Sequence, residues 1–265
     1  LDGADSLKEQ IRQAGNAAGR MELRRMEDTM LWTAQNLMGT YHSLEAEQAA
    51  ASARAEAQKH LSEKVKDQEM LGSSTSYHSQ EAYQKWQSAL NEYERLKKEQ
   101  ERVRQELLLL TGFSPDSPVV LEKMPLPDVS RAALVNPQED RQQALGNNYE
   151  LRSGRMGNAG SNQELHKKQR QTELDENQMF ASLETLGDQI RSRQAEWEAA
   201  CAKEQAQRAV WQSAVRKREQ GTMAEGEYLE IYSQYMEEKG NQAQASIRFL
   251  LAMEEYDWAK KGLMD

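Results

Sequence analysis

Residues 81–112 read EAYQKWQSALNEYERLKKEQERVRQELLLLTG. Within them Ala82, Trp86, Ala89, Tyr93, Leu96, Gln100, Val103, Leu107 and Leu110 follow one another in alternating steps of four and three. A step averaging about 3.5 residues keeps one stripe of an α-helix turned toward the same neighbour, whereas a strand repeats every second residue. Sustained over residues 82–110, it predicts a helix packed lengthwise in a coiled-coil seam. The run ends on Leu107-Leu108-Leu109-Leu110-Thr111-Gly112, and glycine is the residue that most readily ends a helix.

The rhythm recurs downstream in Ile231, Tyr235, Glu238, Gln242, Ala245, Phe249, Ala252, Tyr256 and Ala259. A second pair of seams lies N-terminal to these: Met30, Ala34, Leu37, Tyr41, Leu44, Gln48, Ala51, Ala55, and Met179, Leu183, Leu186, Ile190, Arg193, Trp197, Ala200. The seams belong to an internal repeat with a shift of 149 residues. It carries Met30 onto Met179, Leu37 onto Leu186, Gly72 onto Gly221, Tyr83 onto Tyr232 and Trp86 onto Tyr235. Gly112 and Gly262 correspond at a shift of 150. Gly15-Asn16-Ala17 and Gly157-Asn158-Ala159 correspond at 142, so the second half carries one additional heptad beyond that point. Internal repetition of this kind outranks local signals in fixing architecture.

Many seam positions hold Ala, Gln or Glu, and Ala46, Ala49, Ala50, Ala53 and Ala57 give the first long helix a second small-residue face. Small residues let helix axes approach closely. Two such faces predict neighbours on both sides. The Tyr and Trp side chains on these rows read as seam packing.

Composition agrees. Ala, Glu, Leu, Lys and Arg supply 124 of the 265 residues, a balance typical of long helices. All five prolines fall between Pro115 and Pro137. Proline lacks an amide donor and clashes with the preceding turn, so proline-free stretches are what long helices require. The fold class is all-α: two tandem long antiparallel helical hairpins joined by a proline-rich crossover. Each hairpin turns at a glycine-led segment, Gly72-Ser73-Ser74-Thr75 in the first and Gly221-Thr222-Met223-Ala224 in the second. Its arms are expected to run about 50 and 35 residues, the first of them about 70 Å from Glu22 to Met70. The expected divisions are 1–111, a first hairpin repeat; 112–138, an extended linker; and 139–265, a second hairpin repeat. Asn136-Pro137-Gln138-Glu139 marks the next helix start, with Asn136 as N-cap and Pro137 at the first helical position.

The net charge of −9 does not suit a nucleic-acid binder, and the clusters Arg20–Arg25 and His166–Arg170 read as solvated helix faces. Cys201 is the single cysteine, so no intramolecular disulfide forms and no cysteine-rich zinc site exists. No stretch approaches the roughly 20 apolar residues of a membrane-spanning helix. The opening Leu1-Asp2-Gly3-Ala4-Asp5 shows no secretory leader, and a mature exported protein would read the same. His42, His60, His78 and His166 are far apart, and His78 reads as a helix-start residue. No phosphate loop, HExxH or GxSxG motif is present. Nothing nominates a catalytic residue, a cofactor or a metal site. The chain reads as a non-enzyme.

In order and spacing these features resemble the outer-membrane efflux (TolC-type) family. The matching pieces are a tip glycine, Gly72; a Leu-rich Thr-Gly helix end at Thr111-Gly112; and a linker, Leu121-Glu122-Lys123-Met124-Pro125-Leu126-Pro127. They are followed by a helix opening through Asn136-Pro137 to Gln143-Ala144-Leu145-Gly146-Asn147-Asn148-Tyr149-Glu150-Leu151. Two departures stand out. The family's membrane-barrel strands would fall in Arg152–Gln178 and near Leu7–Met26, and neither interval alternates as a membrane strand must. Ser73 and Thr222 follow the tip glycines where the family usually has Leu. The resemblance is therefore to the family's helical portion without its barrel.

The resemblance implies a homotrimeric helical conduit whose hairpin tips, Gly72, Ser73, Ser74, Thr75 and Gly221, Thr222, Met223, Ala224, meet a membrane-fusion adaptor. The adaptor would link it to an inner-membrane or cytoplasmic-membrane transporter. The implied location is extracytoplasmic, in the periplasm, the cell envelope or at the outer membrane. The alternative is a structural coiled-coil scaffold or spacer of the cell envelope with no transport role. That reading leaves the 149-residue duplication and the single crossover without a reason.

Overall fold

The computed structural model describes residues 17–155 and 160–264. Seven helices follow one another there: α1 Ala17–Met70, α2 Ser76–Leu110, α3 Val129–Ala133, α4 Pro137–Asn147, α5 Tyr149–Arg155, α6 Asn162–Glu219 and α7 Glu225–Lys261. No described residue lies in a β-strand. The long arms hold 54 and 35 residues in the first repeat and 58 and 37 in the second. Every residue of the four seams is buried or half-buried. Gly15-Asn16 and Gly157-Asn158-Ala159 lie outside the described residues, as does the part of Leu7–Met26 before Ala17.

The crossover is less extended than its prolines suggest, because Asp128 starts the short α3 by accepting the amides of Ser130 and Arg131. Asn136 caps α4 as expected, its side chain accepting the Gln138 amide at 3.2 Å, with Pro137 in the first turn. α6 opens at Ser161, whose hydroxyl accepts the Glu164 amide at 3.2 Å, while the Glu164 carboxylate takes the Gly160 amide at 2.7 Å. This reciprocal capping satisfies orphan donors of the first turn. The chain turns between α5 and α6, since the Arg155 guanidinium meets the Glu176 carboxylate at 2.6 Å.

The chain divides into two units, each drawing on both repeats. The first comprises the described residues up to Gly39, Gln105–Ala195, and Arg248 onward. Its core is built of large side chains: Leu108, Leu183, Ile190, Phe249, Met253 and Tyr256 are almost fully buried. The crossover is bound to α7 by polar contacts. Arg131 donates to Glu254 at 2.8 Å and also to Asp257, the Tyr256 hydroxyl donates to Asp140 at 2.8 Å, and Lys260 pairs with Asp140 at 2.9 Å. Pro137 packs on Gly187 so closely that a Cβ there would lie 2.8 Å from the proline ring. Arg131 and its carboxylates are partly exposed, so screening limits their worth. Arg131→Gln is expected to cost about 1 kcal/mol in urea denaturation at low salt and less at high salt. An unchanged midpoint at low salt would show that the crossover is held by packing alone.

The second unit comprises Thr40–Arg104 and Glu196–Ile247. Its buried apolar positions are mostly small: Ala53, Ala55, Ala82, Ala89, Ala214 and Ala245, with Leu96, Val103, Leu229, Tyr235 and Ile247. The two small-residue faces of α1 are both used. Ala51 and Arg54 line a shallow cleft with Ala89 and Glu92 of α2. On the other side Gly240 of α7 lies over α1, where a Cβ would approach the Ala46 carbonyl oxygen to 3.2 Å and the Ala50 methyl to 3.7 Å. Arg54 to Glu237 at 3.1 Å and Gln244 to Glu47 at 2.8 Å join the same two helices. Cys201 is half-buried, with the Gln242 amide 3.7 Å from its sulfur. The repeats differ in one respect here. Trp211 stacks on Tyr235 at 4.6 Å and meets Tyr232 at 6.1 Å, whereas the position equivalent to Trp211 in the first repeat is the buried Ser62.

Candidate functional site

The tips are the places where sequence reasoning puts function, and the two are built by the same rule. α1 and α6 each end on a glycine in the left-handed region, Gly72 at φ 74 and Gly221 at φ 69. At the first tip the Ser73 amide donates to the Gln68 carbonyl at 2.8 Å and the Gly72 amide to Glu69 at 2.9 Å. At the second the Thr222 amide reaches Lys217 at 2.9 Å and the Gly221 amide Arg218 at 2.9 Å. These are Schellman closures, which satisfy the last carbonyls of a helix and need a residue tolerant of positive φ.

Ser73 and Thr222 have a local reason to stand after the tip glycines. The Ser73 hydroxyl donates to the Gln68 carbonyl at 3.0 Å and the Thr222 hydroxyl to the Lys217 carbonyl at 3.0 Å. Each adds a hydroxyl donor to a carbonyl that backbone amides already cap, which a leucine cannot do. Thr75 then opens α2, its hydroxyl accepting the His78 amide at 3.3 Å. Ala224 precedes α7 without a side-chain acceptor, and an Arg218–Glu225 pair at 2.8 Å spans that turn instead. Arg218 also lies over the Tyr228 ring at 4.2 Å.

The tips are open. Gly72, Ser73, Thr75, Gly221, Thr222 and Ala224 are exposed, while Ser74 and Met223 are half-buried. Beside the first tip Met70, Leu71 and Tyr77 are 71%, 83% and 73% exposed, a cluster of apolar surface. His60 contacts Gly226, where a Cβ would lie 3.1 Å from the imidazole.

α2 and α7 end by the same rule at Gly112, φ 83, and Gly262, φ 112. The amides of Phe113 and Leu263 reach Leu108 and Trp258 at 2.8 and 2.9 Å. Gly262 has a further role that the sequence did not announce. The Asn147-Asn148-Tyr149 step between α4 and α5 closes on it. Tyr149 donates its amide to the Gly262 carbonyl at 3.2 Å, Asn147 donates to Lys260 at 2.9 Å, and the fully buried Asn148 donates to Met264 at 3.3 Å. Asn148 also accepts the Leu151 amide at 2.9 Å, and the Tyr149 hydroxyl donates to Asp28 at 2.6 Å. Burial and the Asp28 carboxylate push the Tyr149 hydroxyl well above its ordinary pKa.

Among the described residues no group of His, Cys, Asp and Glu is placed to hold a metal ion, and no helix is long and apolar enough to cross a membrane.

The structure superposes on CusC over 98% of this chain and 87% of that one, at a TM-score of 0.61 and 12% identity. It matches VceC, an outer membrane protein of Vibrio cholerae, over 98% of this chain and 76% of that one, at 0.58 and 12%. This chain has the fold of the helical portion of the outer-membrane efflux channels. The outer-membrane channel OprN shows the same TolC-like protomer fold over 92% of this chain and 68% of its own, at a TM-score of 0.56 and 14% identity. No protein-family profile matches the sequence, and no curated protein is significantly similar to it. Within this TolC-like fold the described residues of the interval Arg152–Gln178 form the end of α5, a bend at Gly160 and Ser161, and the first turns of α6.

Proposed function

We propose that the chain is a non-catalytic, TolC-like component of an export or efflux system, forming a helical conduit or scaffold outside the cytoplasm. The observation that carries this reading is the shared fold with CusC and VceC across 98% of the chain. A likeness to one hairpin would follow from any coiled coil; a likeness to both repeats and the crossover supports a common architecture. On this reading 1–111 and 139–265 are the two staves that each protomer contributes, and 112–138 is the belt that holds them. Three protomers assemble, and the tips Gly72–Thr75 and Gly221–Ala224 receive the helical hairpin of a membrane-fusion adaptor. The adaptor connects them to a transporter in the inner or cytoplasmic membrane.

Two measurements test the proposal together. Light scattering should give three times the 30.3 kDa monomer mass. A photo-crosslinking residue at Thr75 or Thr222 should capture an envelope protein with a coiled-coil hairpin, and the same residue at Gln142 of α4 should not. A monomer that also captures nothing at either tip would remove the conduit reading and leave the scaffold.

A further inference from the structure

Within the first unit, α1, α6, α7 and the residues after α7 line a half-open cavity of about 420 Å³ that takes no part in the tips. Its volume lies within the usual range for small-molecule sites, roughly 300–1,000 Å³. Two indoles line it, Trp32 of α1 and Trp258 of α7, together with Leu186, and Glu255 stands among them.

The polar groups of the cavity are unequally available. Thr29 donates its hydroxyl back to the Arg25 carbonyl at 2.8 Å, and Thr185 donates to Ala181 at 2.9 Å. The Trp258 indole nitrogen donates to Gln35 at 2.6 Å. These donors are spent within the fold. Arg25 lines the cavity too, but its guanidinium is 3.9 Å from the Glu150 carboxylate. Glu255, by contrast, has no hydrogen bond or ion pair among the described residues. The charge left to meet a guest is therefore negative. The Trp258 ring already attracts a cation, with the Lys261 ammonium 4.0 Å from its centroid, and Lys261 is not among the cavity's lining residues.

We propose that this cavity binds a monovalent organic cation with a bulky apolar body, its charge set against Glu255 and its body against the rings of Trp32 and Trp258. An indole face attracts such a cation through the ring quadrupole, most strongly where water is excluded. A strongly hydrated inorganic ion gains nothing from these walls, and an organic anion would meet Glu255.

Glu255 leaves a trace in stability. Glu255 is accessible to solvent, yet the atoms packed around its carboxyl raise its pKa above the ordinary value by desolvation. The folded chain thus holds this proton to a higher pH than the unfolded chain. The associated stability is present below the unfolded pKa and is lost as pH rises through the folded one. At neutral pH an unpaired carboxylate here lowers stability, as a group kept for binding does. Glu255→Gln is accordingly expected to melt at the same temperature as the parent or higher.

Tetraphenylphosphonium and tetraphenylborate have the same shape and opposite charge. Calorimetric titration of the full chain at neutral pH should show the phosphonium binding more tightly than the borate by about tenfold or more. Glu255→Gln should abolish that preference without lowering the melting temperature. Equal affinity for the two ions, a preference for the borate, no binding of the phosphonium, or unaltered selectivity in Glu255→Gln would each overturn the proposal. The titration uses the isolated protein, so its outcome is independent of whether the tips dock an adaptor.

Discussion

Gly262→Ala is expected to lower the unfolding free energy by about 2–5 kcal/mol, the sum of left-handed strain and overpacking. The position combines a φ of 112 with backbone at very short range, because an added Cβ would collide with the Asn147 carbonyl oxygen and fall 2.7 Å from its carbon. Backbone cannot swing aside as a flexible side chain can. Relief requires the α4–α5 step to withdraw, which breaks the hydrogen bonds that Asn147, Asn148 and Tyr149 make to the end of α7. Gly72→Ala is the internal control. Its φ is also positive, but nothing lies within 4 Å of the added methyl, so about 1 kcal/mol of strain is all that applies. Urea denaturation followed by circular dichroism measures both. Equal losses would mean that the clamp on Gly262 is loose.

Phe249→Ala is expected to cost about 3–5 kcal/mol, the range for truncating a buried aromatic ring in a core that relaxes only in part. Phe249 is fully buried on the α7 seam. The repeat places Gln100 at the equivalent position on α2, where it is half-buried. Gln100→Ala should stay within about 1 kcal/mol, since a half-buried polar side chain leaves little cavity. Comparable losses at the two positions would show that the repeats carry their seams equally, against the burial observed.

The hairpins were legible because their signal is periodic and long. Steps of four and three over residues 82–110 admit one secondary structure, and glycines at matching intervals admit one way to end it. Asn136-Pro137 was legible because capping chemistry is local. Other features depend on distant partners. Asn148 sits in a polar stretch, and only the return of α7 beside it reveals a buried side chain with both ends satisfied. α3 is too short for any period to show, and its cap depends on one aspartate. Glu255 is one of 43 acidic residues, and in sequence it looks like exposed helix face. Its setting becomes visible when Trp32, more than two hundred residues away, is brought alongside. The tips fall between these cases. Their positions follow from Gly72 and Gly221, but the reason for Ser73 and Thr222 lies in hydroxyl geometry that no spacing encodes.

The unequal cores of the two units have a consequence for how the long helices breathe. α1 runs without a break from residues that pack among leucine, tyrosine and phenylalanine into residues that pack on alanine and glycine. A methyl group contributes far less than a large side chain to the free energy of opening, since burial scales with apolar area at roughly 25 cal/mol per Å². Amide protons along one continuous helix should therefore fall into two cooperative families, slow to exchange with solvent up to about Gly39 and faster beyond Thr40. α7 should show the same division in the opposite order. Hydrogen bonding is uninterrupted across the change, so the helix stays a helix while its two ends answer to different opening equilibria. The alanine-lined half is thus the part that yields first, and the tips belong to it.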